Sequence, residues 1–250
     1  MLHFLLAAGL PNTTDLPQHM PSFSSRSAVS PRRGSALRCG VLAVVASIAA
    51  VLLVEAGPAS ALELRAPLET NALAPFVAVS ATDALDSFDA YQSSGDLASY
   101  GNFVRSRTQT ARLAATELGY PEAEMISAWA STPLEHQRAV LAAMTQVGVP
   151  YRRNTSSEGV GFDCSGLTTY AWAEPGVTLY RQSGSQISEA ERLDRSTAKA
   201  GDLVHYPGHV MIYLGVGDAI IHSVKTGRTV ELDTISDRRS SSVRFGDPST

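Results

Sequence analysis

The chain has little charge, and it has no dense run of lysine or arginine. Charged residues make up 18% of its 250 positions, and the formal net charge is −4 at pH 7. Proteins that hold nucleic acid through its phosphates usually carry a basic patch or stripe. The absence of such a stripe, together with the acidic balance, excludes nucleic acid as an expected partner.

Long hydrophobic runs are also missing, because the apolar run 41–54 falls short of the roughly 20 residues that cross a bilayer. Arg32, Arg33 and Arg38 precede this run, and the small residues Ala59-Ser60-Ala61 follow it. Positive charge, apolar run and small-residue cleavage site form the pattern of a secretory signal. We therefore predict that 1–61 is a signal peptide and that the protein is secreted or cell-wall associated. The alternative is a membrane anchor through residues 40–57.

Cysteine is scarce, with Cys39 and Cys164 as the only two. If the leader is removed, Cys164 alone remains, so an exported protein of this sequence has no internal disulfide. A buried inert thiol, an intermolecular bridge and a nucleophile are then the three interpretations. The sequence around Cys164 has to decide between them.

Amino-acid composition divides the rest of the chain into three parts. Residues 62–80 are rich in Ala and Pro and are expected to be a linker, and 81–131 carry helix formers broken by Gly and Pro. We predict that 81–131 form a short helical prefix that packs on the domain 132–250. In that domain helices come first and short period-two runs follow, which predicts an α+β fold with an antiparallel sheet. The predicted strands are 203–206, 210–214, 219–223, 230–232 and 243–245.

Cys164 lies in the segment GFDCSGL, where a loop rich in Gly, Ser and Asn meets a predicted helix. The helix N-terminus offers the positive end of the macrodipole and free amide N–H groups, which favour the reactive thiolate. The same amides can stabilise an oxyanion as it forms. This position favours a catalytic role over an inert thiol.

Two histidines fall on neighbouring predicted strands. His209 opens HVMIYL, and His222 follows the apolar pair Ile220-Ile221. If the two strands pair through the turn 215–218, the histidines lie close together across the ladder. They would then supply a base for the thiol and a group that orients the base.

A zinc site is the competing interpretation, because His205 and His209 are four residues apart and Asp202 precedes them. That spacing places two imidazoles together only on a helix, and Pro207-Gly208 prevents a helix here. We expect neither a metal nor an organic cofactor. His205 is expected near a strand end without a chemical role, and His136 at the surface of a helix.

The elements GFDCSGL, GDLV, GHVMIYLG and IIHS, in this order, resemble the NlpC family of papain-like bacterial cell-wall cysteine peptidases. The resemblance covers roughly 134–245. It implies a papain-like fold with the catalytic helix on the antiparallel sheet, Cys164 as nucleophile, His209 as base and His222 as the orienting group. It also implies that Tyr151 helps form the oxyanion pocket, and that Asp163 and Ser165 contact the substrate. Arg152-Arg153-Asn154, Tyr180 and Met211 depart from the family pattern, which leaves substrate detail open.

The resemblance implies a secreted endopeptidase, expected as a monomer, that hydrolyses the peptide stems of peptidoglycan, typically between D-glutamate and a diamino acid. Two alternatives remain at this point. One is an acyltransferase or amidase that uses the same three residues. The other is a catalytically silent protein that binds the cell wall.

Overall fold

The computed structural model describes residues 71–250 of the chain. The predicted signal peptide 1–61, the alternative anchor 40–57 and the first part of the predicted linker lie outside the described residues. Within 71–250, no helix is both long enough and apolar enough to cross a membrane.

Helices dominate the first half of the described chain, and the α+β prediction is confirmed. The first four are α1 (Ala74–Ser94), α2 (Leu97–Leu118), α3 (Glu122–Ser131) and α4 (Leu134–Met144). Glycines in the left-handed conformation end α1 and α2 at Gly95 and Gly119, where φ is 70° and 73°. Three further helices follow within residues 71–250: α5 (Cys164–Ala173), α6 (Ser183–Glu189) and α7 (Asp237–Ser240).

A six-stranded antiparallel sheet forms the second half. Its strands are β3 (Glu191–Leu193), β4 (Leu203–Tyr206), β5 (His209–Tyr213), β6 (Ala219–Ser223), β7 (Val230–Thr234) and β8 (Arg244–Asp247). Their spatial order is β3-β8-β4-β5-β6-β7. A separate hairpin of two-residue strands, β1 (Ser156–Ser157) and β2 (Gly161–Phe162), precedes α5. All five predicted strands exist, while β3 and the small hairpin were not predicted.

The predicted linker 62–80 is wrong over its last residues. Helix α1 begins at Ala74 with Pro75 in its first turn, where a missing N–H costs nothing. Val77 and Ala81 are fully buried on the same face of this helix. Alanine and proline are common in linkers, but alanine is also a good helix former, and proline suits the first turn of a helix.

One hydrophobic core joins the prefix helices to the sheet. Phe88 of α1 and Phe103 of α2 are buried with ring centroids 5.1 Å apart. Both belong to the same contact cluster as Leu141 of α4 and Ile221 of β6. The boundary predicted between residues 131 and 132 therefore lies between two helices, but it does not separate two hydrophobic cores.

Polar contacts also fix the N-terminal part of the described chain to the sheet. The side-chain amide of Asn71 donates to the carbonyl of Leu232 at 3.0 Å, and its oxygen accepts from the N–H of Leu232 at 2.7 Å. Asn71 thus satisfies a backbone pair on the outer edge of β7. On α3, the indole of Trp129 donates to the carbonyl of Leu214 at 3.0 Å, at the end of β5.

The expectation that His136 lies at the surface is wrong. His136 is fully buried on α4, and its Nε2 lies 3.2 Å from Asp202 and 3.1 Å from Asp247. Lys199 adds a 2.6 Å contact to Asp247. Asp202 lies beside β4 and Asp247 lies in β8, so this cluster connects α4 to the sheet. The sequence around His136 did not indicate these contacts.

A shared core predicts a single unfolding transition. Phe103→Ala should lower the free energy of unfolding by about 3–5 kcal/mol, the usual cost of emptying a buried phenylalanine site. Circular dichroism and tryptophan fluorescence should shift together in denaturant. Phe76→Ala on α1, whose ring is 63% exposed, is the matched control and should change stability little. Two separate transitions would show that the prefix folds independently.

Candidate active site

Cys164 is the first residue of α5, and the residue before it caps the helix. One carboxylate oxygen of Asp163 accepts from the N–H of Gly166 at 2.8 Å. The other accepts from the N–H of Asn154 at 2.8 Å and from the Arg181 guanidinium at 2.7 Å. A Cβ on Gly166 would overlap the carbonyl oxygen of Thr155, so glycine is needed for this close approach. These contacts hold the cysteine at the helix start.

The thiol of Cys164 lies against the beginning of β5. Backbone N–H groups of Val210, Ser165 and Cys164 itself are within hydrogen-bonding reach of the sulfur. Burial nevertheless outweighs them and raises the pKa of the thiol. The N–H groups at the helix start thus lower the pKa, as the sequence predicts, but burial has the larger effect, so the pKa of the resting thiol lies above its usual value.

His209 and His222 lie together, as the predicted strand pairing requires. β5 and β6 are antiparallel, with Ile212 opposite Ile221. Nε2 of His209 is 3.0 Å from Nδ1 of His222, and the two rings meet at 67°. Since Nε2 of His209 is engaged by its neighbour, Nδ1 is the nitrogen left for Cys164, which lies beside the next residue, Val210.

The pKa values of the two imidazoles are shifted in opposite directions. Burial, then the proximity of His222 and His205, lowers the pKa of His209 to about 3. Burial would also lower the pKa of His222, but Asp233 and Glu231 outweigh it and raise that pKa above its usual value. A proton added to this pair therefore goes to His222, and His209 stays neutral across the physiological range.

The three residues expected in the oxyanion and substrate pocket surround the cysteine. Tyr151 is partly buried, and burial, then the proximity of the acidic groups Asp163 and Cys164, raises the pKa of its phenol. Asp163 and Ser165 are both buried. Ser165 Oγ accepts from Arg181 at 2.9 Å, so both side chains already have partners within the chain. Their contact with substrate stays a prediction.

Sequence reasoning missed several residues of the site. Arg181 joins Asp163 and Ser165 through its two amino groups, and the Leu179-Tyr180-Arg181 element was the available signal. The Tyr206 ring lies against His209, with centroids 5.3 Å apart and a tilt of 42°, and the Arg239 guanidinium lies over the Tyr206 ring at 4.5 Å.

Glu231 and Asp233 of β7 were also missed. They approach Nε2 of His222 at 3.6 and 3.4 Å. The alternation of acidic residues around Leu232 is a signal only when β7 is known to pair with β6.

His205 was expected near a strand end, and it is a buried residue of β4 whose pKa is lowered by burial.

Two clusters within residues 71–250 have the ligand types of a metal site. One is His136 with Asp202 and Asp247, and the other is His222 with Glu231 and Asp233. In each, a basic side chain already offsets the negative charge: Lys199 contacts both carboxylates of the first, and Arg228 contacts Glu231 in the second. We assign neither cluster as a metal site, and the expectation that no metal is needed stays untested.

Residues 148–245 match the model of the NlpC/P60 family. The chain therefore carries an NlpC/P60 domain. This range holds Cys164, His209 and His222, and the resemblance to this family is confirmed.

Two named relatives match part of this chain. Peptidoglycan endopeptidase RipB of Mycobacterium tuberculosis is 38% identical over 102 residues, which cover 34% of this chain and 42% of RipB. Murein DD-endopeptidase MepH of Escherichia coli is 35% identical over 104 residues, which cover 38% of each chain. The chain thus spans about two fifths of the length of these relatives.

Among solved structures, RipD of M. tuberculosis is described as a non-catalytic NlpC/p60 protein adapted to peptidoglycan binding. It superposes with a TM-score of 0.38 at 24% identity, covering 46% of this chain and 98% of that one.

The raised pKa of Cys164 predicts slow alkylation at neutral pH. The rate of carbamidomethylation by iodoacetamide, followed at Cys164 by peptide mass spectrometry, should rise with a midpoint above the ~8.5 of an ordinary thiol. Urea-unfolded protein is the control and should return the ordinary midpoint. A midpoint several units lower would mean that a thiolate–imidazolium pair already exists in the resting protein.

Proposed function

We propose that this protein is an exported cysteine endopeptidase that hydrolyses the peptide stems of bacterial peptidoglycan. Cys164 is the nucleophile, His209 the base and His222 the group that orients the base. The observation that carries the proposal is the arrangement at the start of β5. There, a helix-terminal thiol lies at the backbone of Val210, and the 3.0 Å contact between His209 and His222 lies next to it.

The first step forms a thioester. The sulfur of Cys164 attacks the carbonyl carbon of the scissile amide while Nδ1 of His209 takes the thiol proton. The carbonyl oxygen becomes negative, and the backbone N–H of Cys164 and the phenol of Tyr151 are the donors proposed to stabilise it. His209 then gives its proton to the leaving amine as the C–N bond breaks, and the acyl group stays on sulfur.

Water completes the cycle. His209, neutral again, accepts a proton from a water molecule that attacks the thioester carbonyl. The carbon–sulfur bond breaks, the stem fragment leaves as a carboxylic acid, and the proton returns to sulfur. Both steps need a neutral His209, and the low pKa of this residue provides one.

Tautomer control is the role proposed for His222. For Nδ1 of His209 to accept a proton, the hydrogen of that ring must be on Nε2, where it donates to Nδ1 of His222. The proton of His222 must then be on its own Nε2. His222 therefore acts through His209 and does not take up the reacting proton.

The substrate is inferred from the relatives, whose names include peptidoglycan endopeptidases. We propose cleavage between D-glutamate and the diamino acid, although MepH is named a DD-endopeptidase and RipD is described as non-catalytic. Mass spectrometry of fragments released from purified peptidoglycan identifies the bond. An intact wall after digestion would instead favour a binding protein.

Four substitutions separate the three roles. Cys164→Ala should reduce fragment release to background, because no other thiol is present within residues 71–250. His209→Ala should lose about 10²–10⁴-fold, the usual contribution of an acid–base group. His222→Gln should keep measurable activity because its amide oxygen can accept the supporting bond. His222→Ala should lose much more.

Fragment release by each variant is measured by mass spectrometry, with circular dichroism as the folding control. Glu124→Gln, which removes an exposed charge on α3, is the matched control and should leave the rate unchanged. Wild-type release by Cys164→Ala would refute the peptidase. Equal losses in His222→Gln and His222→Ala would refute the orienting role.

A further inference from the structure

His222 has a second nitrogen whose surroundings the mechanism has not used. The residue is buried, and its Nε2 faces two carboxylates of β7, at 3.4 Å from Asp233 and 3.6 Å from Glu231. Both distances exceed those of a well-formed hydrogen bond, so an Nε2–H would be shared between two acceptors. Strand register produces this arrangement, because His222 lies directly opposite Glu231, and Asp233 points to the same face two residues on.

The carboxylates determine where the single proton of neutral His222 resides. A carboxylate accepts hydrogen bonds and does not donate them when ionised. A bare Nε2 lone pair facing two carboxylates would be repelled, whereas an Nε2–H is attracted. His222 is therefore held with its hydrogen on Nε2 and its lone pair on Nδ1, which must accept from His209.

We propose that Glu231 and Asp233 are positioning residues that extend the site to a four-part chain, Cys164–His209–His222–carboxylate pair. By holding the hydrogen of His222 on Nε2, they set the tautomer of His209 and so leave its Nδ1 free to take the thiol proton. The inference rests on the proposed function for its consequence in catalysis, but the tautomer of His222 follows from its contacts alone.

The same pair of carboxylates makes the activity of these four groups sensitive to acid. A second proton on His222 turns Nδ1 into a donor, which forces His209 to accept on Nε2 and to carry its own hydrogen on Nδ1. His209 then faces the thiol with an N–H and cannot act as a base. Since the carboxylates stabilise the imidazolium of His222, activity should be lost as pH falls through the raised pKa of His222.

The charged and titratable groups around His222 are few among the described residues. His209 faces it from β5, Glu231 and Asp233 face it from β7, and Arg228 holds Glu231 from the turn between β6 and β7, at 2.7–3.0 Å. The guanidinium makes contact with both oxygens of Glu231. This is why we favour a proton here over a metal ion, for which the ligand types would also suit.

The test uses variants that remove charge but keep an acceptor. In Glu231→Gln and Asp233→Asn, nuclear magnetic resonance of the imidazole ring should show the pKa of His222 lowered by about 1 pH unit, the usual effect of losing a nearby opposite charge. The acid limb of kcat for fragment release should move to lower pH by the same amount. KM should not change, because neither residue borders Cys164.

Removal of both acceptors should have a larger effect than loss of their charge. The double variant Glu231→Leu/Asp233→Leu should lower kcat by about 10- to 100-fold, the range seen when a histidine at a metal site loses its outer hydrogen-bond partner. Glu124→Gln is the matched charge control, circular dichroism checks folding, and the two amide variants keep the test valid if the leucine variant does not fold.

The possible results distinguish failure of this inference from failure of the peptidase proposal. An unchanged pKa of His222 in both amide variants would overturn the inference while the peptidase proposal stands. No hydrolysis by the wild type would overturn the peptidase proposal, and the resonance titration would still decide the inference. Loss of activity on adding a chelator, restored by zinc, would replace the proton on Nε2 with a metal ion and would also overturn it.

Discussion

The contact between Nε2 of His209 and Nδ1 of His222 is the constraint on which the rest of the site depends. It exists only if β5 and β6 pair in their observed register, because a slip of one residue would turn one ring to the opposite face. Ser223, the residue after His222, also donates to the carbonyl of Phe162 at 2.8 Å. That bond ties β6 to the segment that leads into Cys164, so the strand that carries the orienting histidine also positions the start of the catalytic helix.

Charge in this site is arranged to keep the reacting groups neutral at rest. Burial raises the pKa of Cys164 and lowers that of His209, so both pKa shifts oppose a resting thiolate–imidazolium pair. The ionised groups stand one layer further out, where Asp163 contacts Arg181 and Glu231 contacts Arg228. The ion pairs hold the helix start and the outer histidine in place, and proton transfer is left to a chain of neutral groups.

Local sequence patterns were sufficient for much of this architecture. Period-two runs predicted β4 and β6 with their observed bounds, and the loop-to-helix position of Cys164 was visible in GFDCSGL. What sequence could not supply was contact between distant segments. His136 looked like a surface residue because its partners, Asp202 and Asp247, are 66 and 111 positions away. Glu231 and Asp233 had no apparent role until β7 was paired with His222, and the linker prediction failed at Ala74 because alanine suits both a linker and a helix.

The tautomer of the two histidines is the most direct test of this account. In protein labelled with ¹⁵N-histidine and studied above the pKa of His222, the ring nitrogen shifts distinguish a protonated nitrogen from a bare one. Substitution of His209 and His222 in turn assigns the signals. The account predicts a hydrogen on Nε2 of both rings and bare Nδ1 atoms. A hydrogen on Nδ1 of His209 would contradict it, because that ring could not accept the proton of Cys164.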